Sequence, residues 1–289
     1  MASTIVLKRR INSIRNTRQI TKAMELVAAS KMRRAQEQAL RSRDYQEATL
    51  SLLYRFSGMK EVELRQPLFY RRKVQNRLYV LVTSNSGLAG AYNANVLKLL
   101  TQGLRDDRDK GAKSKVIAIG NRGAQFCRRL SEVDLLAVYS NFGDHPTAND
   151  LRPLLNTIVD KFLKEEIDEV VMLYTKFQSN LVQVATQSVL MPRPIDDEGA
   201  TSHDFTNFEP DTDTVLFHST LRLIEAQLWQ AVLEGLASEQ SARMIAMKNA
   251  SDNASDLIED YTLEFNTARQ AAITQELAEI SGGVEALKD

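Results

Sequence analysis

The side chains able to do chemistry are few and scattered. His145, His203 and His218 stand far apart, and none has a second His, a Cys or a carboxylate pair at metal-site spacing. Cys127 is the only cysteine. It lies in a helical pattern with no histidine nearby, which predicts a buried, inert thiol, rules out an internal disulfide and fits a reducing compartment. One stretch has the placement of a phosphate cradle. Thr83-Ser-Asn-Ser-Gly-Leu-Ala-Gly-Ala-Tyr-Asn93 closes a strand pattern and opens a helical one, where α/β domains hold phosphates on backbone amides. Yet Gly87-x-x-Gly90 is not G-x-G-x-x-G, and there is no Gly-Lys-Ser/Thr. A tight strand-to-helix turn that needs glycine conformations is the simpler reading. No catalytic constellation, cofactor site or metal site is expected, although a nucleotide-dependent enzyme built on this segment stands as one rival.

The charge pattern says more than any motif. Formal net charge is zero. From Met1 to Arg43, however, there are eleven Lys and Arg against Glu25 and Glu37, and from Asp252 onward nine Asp and Glu against Arg269 and Lys288. Ends of opposite sign attract each other or face separate partners. A basic helix can bind nucleic acid through phosphates, the second rival. Tyr45 is the first aromatic, so a stacking platform for single strands is not expected, and a partner-facing charged face is preferred. The basic start could pass for a transit peptide, but its regular helical pattern argues that it belongs to the fold. No apolar run approaches membrane-spanning length.

The elements that must carry these features follow from periodicity. With Ser3 or Thr4 as N-cap, no Gly or Pro occurs before Gly58. Leu7, Ile11 and Ile14 form an i, i+4, i+7 stripe, Met24, Val27 and Ala28 continue an apolar face, and Ala35, Ala39, Leu50 and Leu53 follow. The spacing predicts a helix over 1–58 with a narrow seam, suited to a coiled coil. From Thr214 to Ile280 the only glycine is Gly235, and no proline occurs. That predicts one helix about 100 Å long, stopped by Gly282-Gly283. A helix of that length needs a partner. Small residues (Ala237, Ser238, Ser241, Ala242, Ala246, Ala250, Ala254) suggest a slim shaft, and Trp229 reads as a packing residue.

All six prolines lie between the helices. Strand patterns at 78–83, 116–119, 135–139, 169–175 and 181–190 alternate with helical patterns at 93–108, 123–130 and 150–166. This rhythm predicts an inserted, largely parallel α/β domain over 70–195, Rossmann-like, whose last strand is an antiparallel edge after the short 176–180 turn. Segment 196–213, with Asp196-Asp197-Glu198-Gly199, reads as an exposed connecting loop leading to the helix over 214–289. The predicted class is α/β plus long helices: an antiparallel coiled coil of the N- and C-terminal helices bearing the inserted domain. Its basic start would lie beside Asp252 to Glu264, with the N-terminus level with about Asn266 and the last residues projecting beyond.

Three stretches, in order, carry a resemblance. They are Arg10-Ile-Asn-Ser-Ile-Arg-Asn-Thr-Arg-Gln-Ile-Thr-Lys-Ala-Met-Glu-Leu-Val-Ala-Ala-Ser-Lys-Met-Arg-Arg-Ala35, the loop Gly87-Leu-Ala-Gly-Ala-Tyr-Asn93, and Glu239-Gln-Ser-Ala-Arg-Met-Ile-Ala-Met-Lys-Asn-Ala-Ser-Asp-Asn-Ala254 continued by Arg269-Gln-Ala-Ala-Ile-Thr-Gln-Glu-Leu-Ala-Glu-Ile280. Together they resemble the γ subunit of F-type ATP synthase, across essentially the whole chain. The resemblance implies a non-catalytic rotor shaft without cofactors. Its partners would be the α/β hexamer, the ε subunit and the membrane c-ring, at the cytoplasmic face of a bacterial plasma membrane. Met24, Arg243, Arg269, Gln270 and Thr274 would contact the β subunits, and Gln275 to Lys288 would form an axle tip. The family loop usually reads Ser-Asp-Arg-Gly-Leu-Cys-Gly. Here Ser84-Asn-Ser-Gly-Leu-Ala-Gly90 lacks its Asp/Arg pair and its Cys. A single cysteine also excludes the redox pair of the chloroplast form, which favours a bacterial source.

Overall fold

The computed structural model describes residues 4–57, 67–131, 133–140, 147–192 and 211–286. Helix α1 (Thr4–Ser57) is 54 residues long and α5 (Thr212–Ala286) is 75. Between them come β1 (Asn76–Val82), α2 (Tyr92–Lys110), β2 (Lys113–Ile119), α3 (Asn121–Cys127), β3 (Asp134–Tyr139), α4 (Ala148–Leu163), β4 (Glu169–Phe177) and β5 (Gln183–Met191). Each expected strand and helix is present, with ends shifted by a few residues. The N-cap at Ser3, the helix stop at Gly58, the loop Asp196–Gly199, His145, His203 and the side chains of Leu50 and Leu53 lie outside the described residues.

One expectation fails at the far end. Gly282-Gly283 does not stop α5, which continues to Ala286. Each helical glycine costs about 1 kcal/mol relative to alanine, which weakens a helix but does not oblige the backbone to leave it.

The chain divides into two compact units, Met1–Ala28 with Met244–Asp289, and Ala29–Arg243. In the first, α1 and α5 run antiparallel: the Arg18 guanidinium donates to Ser255 Oγ at 3.5 Å, and Arg10 lies over the Tyr261 ring at 5.8 Å. The positions that follow a heptad and are buried or half-buried are Leu7, Ile11, Ile14, Thr21, Glu25 and Ala28 on α1, with Met24 half-buried beside them, and Met247, Ser251, Ala254, Ile258, Tyr261, Phe265 and Ala268 on α5. On α5 the spacing alternates four and three, the heptad of a coiled-coil seam. The seam on α1 therefore passes through Thr21 and Glu25. Val27, expected on it, is 55 % exposed, and Met24 is only half-buried. The apolar types at 24 and 27 fall one position outside the 3.5-residue repeat.

In the second unit the sheet order is β3-β2-β1-β4-β5. All pairs are parallel except β4–β5, the antiparallel edge. Alternate residues of β1 enter separate cores, as the period-2 geometry of a strand requires. Leu78, Val80 and Val82 pack with α4 (Leu151, Leu154, Ile158, Phe162) and α5 (Leu216, Ile224, Leu228, Val232). Tyr79 and Leu81 pack with Val96 and Leu100 of α2 and with Cys127. Central strands covered on both faces explain the near-continuous apolar runs at 78–82 and 116–119.

Candidate functional site

In doubly wound sheets, ligands bind outside the C-terminal ends of the strands, where the strand order reverses. Here that place lies between β1 and β4, since β1 leads to β2 on one side while β4 flanks its other side. It is filled by the chain's own helix α5. Gly235 sits so close to the end of β1 that an added Cβ would stand 2.9 Å from Val82 Cγ1 and 3.3 Å from the Tyr92 hydroxyl. Ser238 Oγ donates to the Thr175 carbonyl of β4 at 3.2 Å. Ser241 Oγ donates to the Asn180 carbonyl in the β4–β5 turn at 2.6 Å and accepts from Gln183 Nε2 at 3.2 Å. Ala237 packs with Ala35 of α1 and Phe177 of β4. The first part of the small-residue face, expected to keep a shaft slim, thus seats the helix on the sheet.

The loop after β1 is closed from within. Ser84 N–H donates to Asn93 Oδ1 (3.0 Å), Asn93 Nδ2 donates to Ser84 Oγ (2.8 Å), and Ser84 Oγ donates to the Ser86 carbonyl (2.6 Å). Arg243 of α5 then donates to Ser86 Oγ at 3.0 Å and to the Gly87 carbonyl at 3.3 Å, and pairs with Glu239 at 2.8 Å. The loop thus gives a hydroxyl and a carbonyl to the Arg243 guanidinium. Leu88 (φ 64°) and Gly90 (φ 53°) take left-handed conformations in this turn. Gly120 (φ 95°) lets the neighbouring strand end pass, since a Cβ there would stand 2.2 Å from the Thr83 carbonyl oxygen. Tyr92 is enclosed beneath the loop, and burial, reinforced by the Glu239 carboxylate, holds its hydroxyl well above the usual phenol range. Burial likewise pushes the Cys127 thiol up to about 11, so it is protonated and unreactive at neutral pH.

The five shaft residues fall in different settings. Arg243 is only 8 % exposed, and its guanidinium is engaged by the loop and Glu239. It belongs to the sheet-bearing unit, whereas Met24, Arg269, Gln270 and Thr274 belong to the other. Arg269, Gln270 and Thr274 are exposed together on α5, and the Thr274 hydroxyl is turned back to the Gln270 carbonyl at 3.0 Å. Met24 is half-buried on α1. Sequence reasoning missed the seat made by Gly235, Ser238 and Ser241. Its signal was in view: one glycine interrupting a long run otherwise free of breakers.

Fold and site together define a class: an α/β domain whose ligand crevice is occupied by its own long helix. The family described as ATP synthase matches residues 3–287. The ATP synthase gamma chain of Roseiflexus sp. is 41 % identical over 292 residues, covering all of both chains. That of Xylella fastidiosa is 38 % identical over 288 residues, covering 99 % of this chain and all of the relative. Among solved structures, a chain of the Euglena gracilis mitochondrial ATP synthase (OSCP/F1/c-ring) aligns with TM-score 0.70 and 17 % identity, over 98 % of this chain and 94 % of that one. A central stalk/c-ring chain of the Tetrahymena thermophila enzyme gives 0.61 and 22 %, over 80 % and 99 %. The chain belongs to the ATP synthase gamma chain family.

Proposed function

We propose that this chain is the central-stalk rotor subunit of an F-type ATP synthase, a non-catalytic part that couples rotation of a c-ring to the catalytic β subunits. The observation that carries this reading is the end of α5. Every described side chain from 269 to 281 is exposed. Ile273, Leu277 and Ile280 nevertheless form an i, i+4, i+7 apolar stripe that is 48 %, 60 % and 64 % exposed. A helix that keeps an apolar stripe after its partner helix has ended is built for an external sleeve. The bore of an α/β hexamer is such a sleeve. Met24, Arg269, Gln270 and Thr274, with Arg243, are the proposed β-subunit contacts; on acidic loops the cationic and amide-bearing side chains of this set make charge-assisted hydrogen bonds worth about 1.5–3 kcal/mol each, and Met24 makes an apolar contact. Arg243 takes part chiefly by fixing the 84–90 loop. Asymmetric faces of a turning shaft bias each β site between its open and closed states.

The α/β domain is the part we assign to the ε subunit and the c-ring. Among the described residues no helix is long and apolar enough to cross a membrane. Attachment through the complex, at the cytoplasmic face of a bacterial plasma membrane, is the proposed location, supported by the bacterial gamma-chain relatives. The basic nucleic-acid-binding reading is not supported, since the relatives found are ATP synthase gamma chains. Mixing the full chain with purified α and β subunits tests the proposal. Co-elution as a complex with stimulated ATPase activity is expected. Failure to co-elute under conditions where α and β assemble would overturn it.

A further inference from the structure

The sheet ends on β5, and among the described residues no strand pairs with its outer edge. Such an edge offers a row of backbone donors and acceptors, and proteins usually blunt it with charge, proline, a bulge or a cover. Here the blunting is slight. From Phe177 to Pro192 there is no charged residue, and β5 holds no proline. One bulge is present: Val189 faces Val171 and Met191 faces Val170, so Leu190 is the extra residue. A regular run from Gln183 to Val189 remains. Val184 is exposed on one of its faces, and Gln187 and Val189 on the other, where Ala185 packs with the core under α2.

The composition of that run selects an occupant. When identical strands pair antiparallel about a two-fold axis, residues equidistant from the axis face each other, and the residue on the axis faces its own copy. A charge at or beside the axis would meet a like charge, which destabilises a sheet, and β5 has none. An axis at Gln187 sets like against like: Gln187 meets Gln187, Thr186 meets Ser188, and Ala185 meets Val189. Paired hydroxyls and paired apolar side chains are favourable cross-strand neighbours. In the single chain the Thr186 hydroxyl turns back to the Val184 carbonyl at 3.0 Å. An axis at Thr186 would instead oppose Val184 to Ser188 and Val189 to Gln183. One at Ala185 would draw in Leu181 and Val182 of the β4–β5 turn.

We infer that β5 pairs antiparallel with β5 of a second copy of this chain, about a two-fold axis at Gln187, joining two five-stranded sheets edge to edge. The pairing covers the edge while the chain is free of other partners, and it does not rest on the rotor reading. The test uses the full chain. Sedimentation equilibrium is expected to show a reversible monomer–dimer equilibrium. Gln187→Glu and Gln187→Lys each set two like charges face to face on the axis. Each should weaken dimerisation at least tenfold with unchanged thermal melting, since Gln187 is exposed. An equimolar mixture of the two variants should recover dimers, because the opposed charges then attract. Cysteine cross-linking reads the register. Directly opposite residues have Cα atoms about 4.5–5.5 Å apart, within disulfide reach. Gln187→Cys should therefore oxidise to a linked dimer. Val184→Cys, about 20 Å from its own copy in this register, should not. Cys127 is buried and does not compete. Three results would each overturn the inference: a chain monomeric at every concentration, dimers untouched by both charged variants, or Val184→Cys linking as fast as Gln187→Cys. A monomeric free chain whose Gln187→Cys links to another subunit in the assembled complex would likewise overturn it and assign the edge to that subunit.

Discussion

Gly235 offers a sign test of the joint between α5 and the sheet. In an open helical position, Gly→Ala stabilises by about 1 kcal/mol, because alanine loses less backbone entropy. At Gly235 the new Cβ would stand 2.9 Å from Val82 Cγ1, 3.3 Å from the Tyr92 hydroxyl and 3.9 Å from Val82 Cβ. Carbon atoms pack best at about 3.5–4.0 Å. Val82 is β-branched, 3 % exposed and held at the end of the central strand, so its χ1 has little room to move. Tyr92 is 4 % exposed. Forcing a methyl into such packing costs about 1–3 kcal/mol. The net expectation for Gly235→Ala is a loss of about 1 kcal/mol, and Gly235→Leu should lose considerably more. Trp229, the only tryptophan, is half-buried on the same helix and packs against the same core. Urea unfolding followed by its fluorescence should show a lower midpoint for Gly235→Ala, and in a Val82→Ala background the same substitution should turn stabilising. A midpoint that rises in the unmodified background would refute the close-contact argument.

Other perturbations probe the rest of the unit. Arg243→Ala removes two hydrogen bonds to the loop and the pair with Glu239. Hydrogen exchange over 84–92 should accelerate and coupling in the assembled ATPase should weaken while the chain stays folded; unchanged exchange and unchanged ATPase would refute the role. Asp107→Ala removes one of the two carboxylates that pair with Arg77, Glu169 remaining, and takes the acceptor from the Tyr79 and Ser114 hydroxyls; it should cost about 1–3 kcal/mol in chemical denaturation, and a loss below about 1 kcal/mol would show that the carboxylate was not structurally important. The raised acids predict alkaline sensitivity. Cys127 rises from 9.0 to about 11, and Tyr79 and Tyr174 from 10.0 to about 12, chiefly through burial. In each case the native state holds a proton that the unfolded state has lost once pH exceeds the unfolded value. Their contribution is thus full below about pH 9 and declines as pH rises through about 9–12. A melting temperature that is flat from pH 8.5 to 11 would contradict this. Cys127 should also resist thiol reagents at pH 8 until the chain unfolds.

Much of the fold was legible because its periodicities are long. Strand runs at 78–83 and 169–175, punctuated by turns and helical patterns, left few topologies open, and the five residues of 176–180 were enough to predict an antiparallel edge. The seam of α1 was read less well. Its sheltered positions include the buried Thr21 and the half-buried Glu25, so the repeat could not be followed by apolarity alone, and Met24 and Val27 drew the stripe off register. The joint was invisible for a different reason. A glycine, two serines and an arginine on α5 become meaningful only when Val82, Thr175, Asn180 and Ser86 stand opposite them, and those partners lie 60 to 160 residues away in sequence. Arg243 was picked out as a shaft residue, yet no local pattern could announce its engagement with the 84–90 loop.

The way α5 occupies the crevice bears on what such a subunit must withstand. Apolar packing alone is non-directional and lets a smooth helix slide or roll on a sheet at modest cost. Here the packing at Gly235 is supplemented by bonds that have direction: Ser238 to a β4 carbonyl, Ser241 to the turn beyond it, Arg243 to the loop after β1. The anchors on the sheet side come from two adjacent strand ends and the loops that follow them. Rolling the helix about its axis would break all of them together and drive the Gly235 backbone against Val82. Close-packed contacts of this kind resist small displacements instead of deforming continuously. A ligand in the same crevice would displace these contacts. An enzymatic use of the fold and a torque-bearing use therefore compete for one place, and in this chain the helix holds it.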